Sequence, residues 1–253
     1  ATTLYSARKR ESLAAGRAAP LRVMDMGCGT GRIVKFLHDY GHDLYGYDLA
    51  HSAPGAEANL AELYGADFGE RFRFIDDERS IPFDDDSFDV IYANQVFEHV
   101  RFIDRMVAEC ARVLKPGGQL VTLFPFATYP LEGHVKIPFA HWLPPGPVRI
   151  NYMTPFYMLG LNPRKGERSA RQQAIDSDAY LRTSTFYRLM NEVTSLADHY
   201  FTGWTLDTGA YIQARLDMWA VRDDLRARVQ HRVLNLLQGP VLDYIVTHYW
   251  VAV

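Results

Sequence analysis

The stretch Leu21-Arg22-Val23-Met24-Asp25-Met26-Gly27-Cys28-Gly29-Thr30-Gly31 decides the fold, together with the Ile33, Val34, Phe36 and Leu37 that follow it. A short apolar run ends in three alternate glycines, and apolar residues then return at helical spacing, which predicts strand, tight turn and helix. Outward from it the pattern repeats. Leu44-Tyr45-Gly46-Tyr47 reads as a second strand ending on Asp48, residues 59–64 as a helix, and Phe72-Arg73-Phe74-Ile75 as a third strand. Phe88-Asp89-Val90-Ile91-Tyr92-Ala93 reads as a fourth. A helix over 102–114 stops at Lys115-Pro116-Gly117-Gly118, where Pro and Gly cannot continue it, and residues 119–124 form a fifth strand. Strands alternating with helices predict right-handed crossovers and a mostly parallel sheet covered on both faces, an α/β doubly wound fold.

Past Phe124 the alternation fails. Residues 126–180 are crowded with Pro, Gly, aromatics and His and lack a clear period, so they are expected to be an insertion, a lid over the sheet. Order returns with a helix over 184–199 opening at Thr183, a strand over 202–208, an amphipathic helix near 213–238 and a strand over 244–253, for seven strands in all. Residues 1–19 read as a helix or mobile arm, and residues 1–253 as a single domain with its insertion.

Composition excludes several classes. With 48% hydrophobic and 23% charged residues the chain is a soluble globular one, neither disordered nor collagenous. A net charge of −3 gives no basic field for a phosphate backbone, so no nucleic-acid partner is expected. Cys28 and Cys110 alone supply neither a disulfide framework nor a structural zinc site, which suits a reducing compartment. No apolar run approaches the roughly 20 residues of a membrane span and no signal peptide opens the chain, so a cytoplasmic location is expected. The chain starts at Ala1 without Met and stops while it still reads as strand, as expected of part of a longer polypeptide. Aromatic residues, at 13%, are in surplus.

In an open α/β sheet ligands bind at the carboxyl ends of the strands, where strand order reverses, so the turn holding Gly27, Gly29 and Gly31 is the natural site. A dinucleotide fingerprint would place Gly or Ala at the sixth position counted from Gly27, but Arg32 stands there, too bulky for the close helix packing expected. The run is instead Asp25-x-Gly27-x-Gly29-x-Gly31, and Asp48, 17 residues beyond Gly31, is suited to accept both hydroxyls of a ribose. In these residues the chain resembles the class I S-adenosylmethionine-dependent methyltransferases (methyltransferase type 11-like). The likeness extends over about 21–124 through Asp77-Glu78-Arg79-Ser80-Ile81-Pro82-Phe83, Phe97-Glu98-His99-Val100 and Arg112-Val113-Leu114-Lys115-Pro116-Gly117-Gly118.

The resemblance implies S-adenosyl-L-methionine as cofactor and S-adenosyl-L-homocysteine as product. Asp25, Gly27, Gly29 and Gly31 would hold it at the first strand, and Asp48 and Leu49 at the second. Asp77 and Glu78 would meet the adenine edge. Asn94 and His99 would stand beside the cofactor. Asp77 is preferred to Asp76 because it lies five residues before Pro82. Three adjacent carboxylates on a strand cannot all face one ion, so Asp84-Asp85-Asp86 reads as a solvated turn, and no metal is expected.

Methylation of a hydroxyl needs a base close to pH 7, for which His is best suited. The insertion offers Glu132-Gly133-His134 and His141-Trp142. His134 is the first candidate base with Glu132 as its orienter, and His141 the second. Tyr129, Phe139, Trp142, Tyr152, Phe156 and Tyr157 fall in the same segment, as ring-stacking faces or as a small satellite core. Residues 134–144 look similar to family members of bacterial surface-glycan pathways, which points to a glycan, nucleotide-sugar or other small-molecule hydroxyl as acceptor. Arg164, Lys165, Arg168 and Arg171 read as a solvated run or a phosphate contact. Over 213–238, Leu225, Val229, Val233 and Leu236 make one apolar stripe. N- or C-methylation of a small molecule or quinone-like ring, a non-catalytic cofactor-binding domain, and an NAD-dependent oxidoreductase remain as alternatives, Arg32 standing against the last.

Overall fold

Strand β1 (Arg22–Met26) is buried from Val23 to Met26 and lies between two parallel neighbours, which is why it reads as a nearly unbroken apolar run. Its side chains alternate between the sheet faces: Val23 joins Leu44 and Val90 on one, Met24 and Met26 join Ile91 and Phe97 on the other. The computed structural model describes residues 20–38, 41–50, 55–161, 168–206 and 248–252.

From β1 the chain runs through α1 (Arg32–His38), β2 (Asp43–Leu49), α2 (Ala56–Tyr64), the single turn α3 (Phe68–Arg71) and β3 (Phe72–Ile75). It then crosses to the other side of β1 and forms β4 (Phe88–Asn94), α4 (Ile103–Val113) and β5 (Leu114–Phe124). Helix α4 buries Ile103, Met106, Val107, Cys110 and Val113, a helical stripe that covers one face of the sheet. Val34 and Leu37 of α1 and Leu60 of α2 cover the other.

After the insertion come α7 (Met190–Tyr200), β8 (Trp204–Leu206) and β9 (His248–Ala252). Among the described residues the main sheet has seven strands in the order β3-β2-β1-β4-β5-β9-β8. The first five are parallel, while β9 runs antiparallel to both β5 and β8. Strand order therefore reverses between β1 and β4. The arm over 1–19 and the helix near 213–238 lie outside the described residues.

The insertion corrects one expectation. It is not irregular: it holds a hairpin, β6 (Leu131–Glu132) and β7 (Ile137–Pro138), then α5 (Pro147–Met158) and α6 (Ala170–Thr183). Its own core contains Val135, Ile137, Met153, Tyr157, Ala174 and Leu181. The helical period was hidden because polar side chains occupy buried positions, Arg149 in α5 and Gln173 and Asp178 in α6. Arg149 and Asp178 pair at 3.5 Å, and Asp178 also accepts from the Gly146 N–H at 3.0 Å, so these polar positions bind one helix to the other.

The helix expected over 184–199 begins only at Met190. Residues 184–189 are instead a strap whose backbone groups are bound elsewhere. The Phe186 N–H donates to the Glu98 carbonyl at 2.6 Å, and the Arg188 carbonyl accepts from the Ala127 N–H at 2.8 Å. The Arg188 guanidinium donates to the Arg101 carbonyl at 2.9 Å. A helix there would forfeit these bonds.

Candidate active site

The glycine turn is held by β2. The N–H groups of Gly27 and Cys28 donate to the Tyr47 carbonyl at 2.9 and 3.2 Å, and the Gly31 N–H to the Cys28 carbonyl at 2.9 Å. Gly27 has φ +69°, and a Cβ there would stand 2.5 Å from Cγ2 of Val96, so the residues after β4 pack directly on the turn. Gly29 has φ +52° and a Cβ there would meet nothing within 4 Å: its backbone faces open space. Asp48 closes the turn, one carboxylate oxygen accepting from the Gly29 N–H and the other from the Leu49 N–H, both at 2.7 Å. Asp25 is buried beneath, and desolvation together with the charge of Asp48 pushes its carboxyl up to about 8.

At the end of β4 the Oδ1 of Asn94 is buried without a hydrogen-bond partner. An orphaned acceptor, an open glycine backbone and a carboxylate with unused lone pairs are what a molecule carrying an ammonium group and a ribose requires, so this edge fits S-adenosylmethionine. Asp77 and Glu78 lie in the loop after β3. The side chain of Asp77 is exposed and accepts from the Arg79 N–H at 3.0 Å.

The insertion meets the same edge through imidazoles. The hairpin turn between β6 and β7 folds His134 back on Glu132, with Nδ1 of His134 2.8 Å from Glu132 Oε1. The other oxygen of Glu132 accepts from the Val135 N–H at 2.6 Å, and the Tyr187 hydroxyl, carried by the strap, donates to Oε1. Glu132 is fully buried, yet hydrogen bonds from His134 and Tyr187 outweigh desolvation and hold its carboxyl below the usual range. Burial pulls His134 down, but the bond to Glu132 and the charges of Glu132 and Glu98 hold its imidazole above the ordinary value.

His99 is turned toward the insertion. Its Nδ1 donates to the Ser184 carbonyl at 2.6 Å, and its Nε2 stands 3.1 Å from Nε2 of His134. Burial, with the neighbouring His134, keeps its imidazole below the ordinary value. Beside the pair, Glu98 is 1% exposed, and neither carboxylate oxygen has a hydrogen-bond partner. Burial pushes this carboxyl up to about 7.

The structure thus joins Glu132, His134 and His99 and keeps His141 apart: Nε2 of His141 is 3.1 Å from the Ala127 carbonyl, and its ring lies against Tyr187 at 4.8 Å. The aromatics divide. Tyr157 is in the insertion core with its hydroxyl 2.7 Å from Ser177 Oγ, whereas Phe139 and Trp142 are 43% and 51% exposed with ring centroids 4.9 Å apart. Arg168 pairs with Asp176 at 2.8 Å and Arg171 donates to Asn151 at 3.1 Å, while Arg164 and Lys165 lie outside the described residues. Sequence reasoning missed Glu98 as a site group, although it stands in the quoted Phe97-Glu98-His99-Val100, and missed Ser184 and Tyr187, which carry no motif. Among the described residues no helix is long and apolar enough to cross a membrane.

A family described as "Methyltransferase domain" matches residues 24–122. The sterol 4-C-methyltransferase strm-1 of Caenorhabditis elegans is 31% identical over 99 residues, 39% of this chain and 29% of that protein. The ubiquinone biosynthesis O-methyltransferase of Bordetella avium is 29% identical over 110 residues, 41% of this chain and 42% of the relative. The chain thus spans well under half the length of these curated relatives. A crystal structure of an S-adenosylmethionine dependent methyltransferase from Mesorhizobium loti, 18% identical, superposes with a TM-score of 0.52 over 96% of both chains and shares the fold. The glycine turn, the strand order and these matches agree: residues 24–122 match the methyltransferase domain family, and the fold is the one shared with the S-adenosylmethionine dependent methyltransferase of Mesorhizobium loti.

Proposed function

We propose that the chain moves a methyl group from S-adenosylmethionine to a hydroxyl of a small, ring-bearing acceptor, with saccharides and nucleotide sugars the first class to test. One observation carries this reading: a carboxylate-oriented imidazole, His134 on Glu132 at 2.8 Å, joined to the loop that packs on the glycine turn. On the cofactor side Asp48 takes the ribose hydroxyls, Gly27, Gly29 and Gly31 let the ligand approach the backbone, and Asn94 accepts from its ammonium. Leu49, Asp77 and Glu78 stand at the ends of β2 and β3 for the adenosine. Bound there, the cofactor supplies an electrophilic methyl on a sulfonium.

The residues of the insertion supply the proton chemistry. Glu132 accepts only, so Nδ1 of His134 carries the hydrogen and Nε2 is the nitrogen that takes a proton from the acceptor hydroxyl. Glu132 and Glu98 stabilise the imidazolium that forms, and Nε2 of His99, 3.1 Å away, is a second seat for that proton. His141, whose Nε2 is engaged by the Ala127 carbonyl, is the second candidate base. The insertion over 126–180 forms the acceptor side, and the exposed Phe139–Trp142 pair offers a face for a ring. The same pair favours a second acceptor class, the sterol- or quinol-type rings that the relatives' names mention.

Release of S-adenosylhomocysteine across a panel of saccharides, nucleotide sugars, quinols and sterols tests the reading. Turnover with a hydroxyl acceptor is expected, and His134→Ala should remove most of it. Cofactor binding with turnover only on nitrogen or carbon acceptors, or with none at all, would overturn the hydroxyl reading.

A further inference from the structure

We infer that Glu98, His99 and His134 form a binding site for one divalent transition-metal cation of the zinc type, at the seam between the loop after β4 and the insertion. One ligand atom from each of the three residues lies within 4.8 Å of the others. The sequence led to the opposite expectation, a metal-free site, because the two histidines and the glutamate come from segments 35 residues apart and no ligand spacing announces them.

The tautomers make the case. The Ser184 carbonyl can only accept, so Nδ1 of His99 carries its hydrogen; the Glu132 carboxylate can only accept, so Nδ1 of His134 does too. In the neutral forms both Nε2 lone pairs therefore point at each other across 3.1 Å, which is stable only with a positive charge between them, a proton or a cation. Tetrahedral zinc with Zn–N bonds of about 2.0 to 2.1 Å sets neighbouring ligand atoms about 3.3 Å apart, so the imidazoles need move by only about 0.2 Å.

The surrounding groups are those of a metal centre. Each ligating imidazole has its remote N–H held by a carboxylate or a backbone carbonyl, the pattern that fixes metal-binding histidines. Glu98 supplies an independent sign: a carboxylate 1% exposed, with both oxygens lacking hydrogen-bond partners, beside the two free nitrogens. Two imidazoles and one carboxylate suit zinc and its first-row neighbours far better than magnesium or calcium, which take oxygen ligands. The His134 side chain is 21% exposed, which leaves an entry path, and three protein ligands leave the cation a free position. One consequence, unlike the site itself, rests on the methyl-transfer reading: a cation on Nε2 of His134 displaces it as base, and an acceptor hydroxyl bound to the cation then gives its proton to water.

The test is a zinc titration of the whole chain after chelator treatment, against a chromophoric competitor, with cobalt substitution read in the visible. One Zn²⁺ per chain is expected, with affinity reduced about 100-fold or more in Glu98→Gln and His99→Ala and about 10-fold in Glu132→Gln, while His141→Ala, Mg²⁺ and Ca²⁺ leave it unchanged. Cobalt should give the absorption bands of four- or five-coordination in the wild-type chain, a readout that survives if a variant fails to fold. Absence of stoichiometric zinc from the wild-type chain, equal affinity in folded Glu98→Gln and His99→Ala, or a six-coordinate cobalt spectrum would each overturn the site. S-adenosylhomocysteine calorimetry on the same samples keeps a failure here separate from a failure of the methyl-transfer reading.

Discussion

The sheet makes its half of the site from main chain, and the insertion makes its half from side chains. At the carboxyl ends of β1 and β2 the proposed ligand surface is the backbone of three glycines and one carboxylate, all within Asp25 to Leu49 of the sequence. Across from it, the imidazole pair draws Glu98 and His99 from the loop after β4, Glu132 and His134 from a hairpin, and Ser184 and Tyr187 from a strap. A main-chain site depends on local conformation, which residues such as Gly encode directly. A side-chain site depends on where distant segments dock, which no short motif encodes.

The largest expected effect separates the two halves. His134→Ala should lower turnover about 100-fold or more while S-adenosylhomocysteine affinity stays within twofold; steady-state kinetics paired with calorimetry checks this, and a loss of cofactor binding would mean that the halves are not independent. The converse change, Asp48→Ala, should weaken S-adenosylhomocysteine by about 10- to 100-fold, the loss of charge-assisted hydrogen bonds worth roughly 1.5–3 kcal/mol, with turnover at saturating cofactor nearly retained.

Gly27→Ala should act through the fold, because its new Cβ meets Val96 at 2.5 Å in a left-handed conformation. A destabilisation of about 1–3 kcal/mol is expected in denaturant unfolding, and Val96→Ala in the same chain should recover part of it. If Gly27→Ala were neutral, the turn and the loop after β4 would not be in the contact that links the two halves.

The last effect is one of pH. Burial keeps Asp25 protonated in the folded chain up to about 8, against an ordinary value of 3.8. The folded state binds the proton more tightly than the unfolded one, so this contribution to stability is full below about pH 4 and is lost as pH rises toward 8. Asp25→Asn, always neutral, should flatten that part of the stability profile and exceed the wild type at pH 8; an unchanged slope would show that Asp25 is ionised in the folded chain.

Legibility followed the same division. The first five strands and α4 could be read because each carries an apolar pattern of one period, with Gly27 after β1, Pro116 and Gly117 after α4 and Pro125 after β5 as further signals. Helices α5 and α6 could not, since Arg149, Gln173 and Asp178 interrupt their buried faces. In sequence the strap reads as the start of α7, because its hydrogen bonds go to the backbone of residues 98, 100, 101 and 127, contacts made only after folding. In the site, Glu132 and His134 lie two residues apart and were readable as a pair. The role of His99 opposite His134 depended on the docking of the insertion, and so did the burial of Glu98.

The central claim, a methyltransferase cofactor site on the glycine turn, is tested most directly by calorimetry of the whole chain with S-adenosylhomocysteine, S-adenosylmethionine and NAD in parallel. Saturable binding of one S-adenosylhomocysteine or S-adenosylmethionine per chain, weakened in Asp48→Ala, with no response to NAD, is the predicted result. Saturation by NAD with no heat from the other two would contradict it.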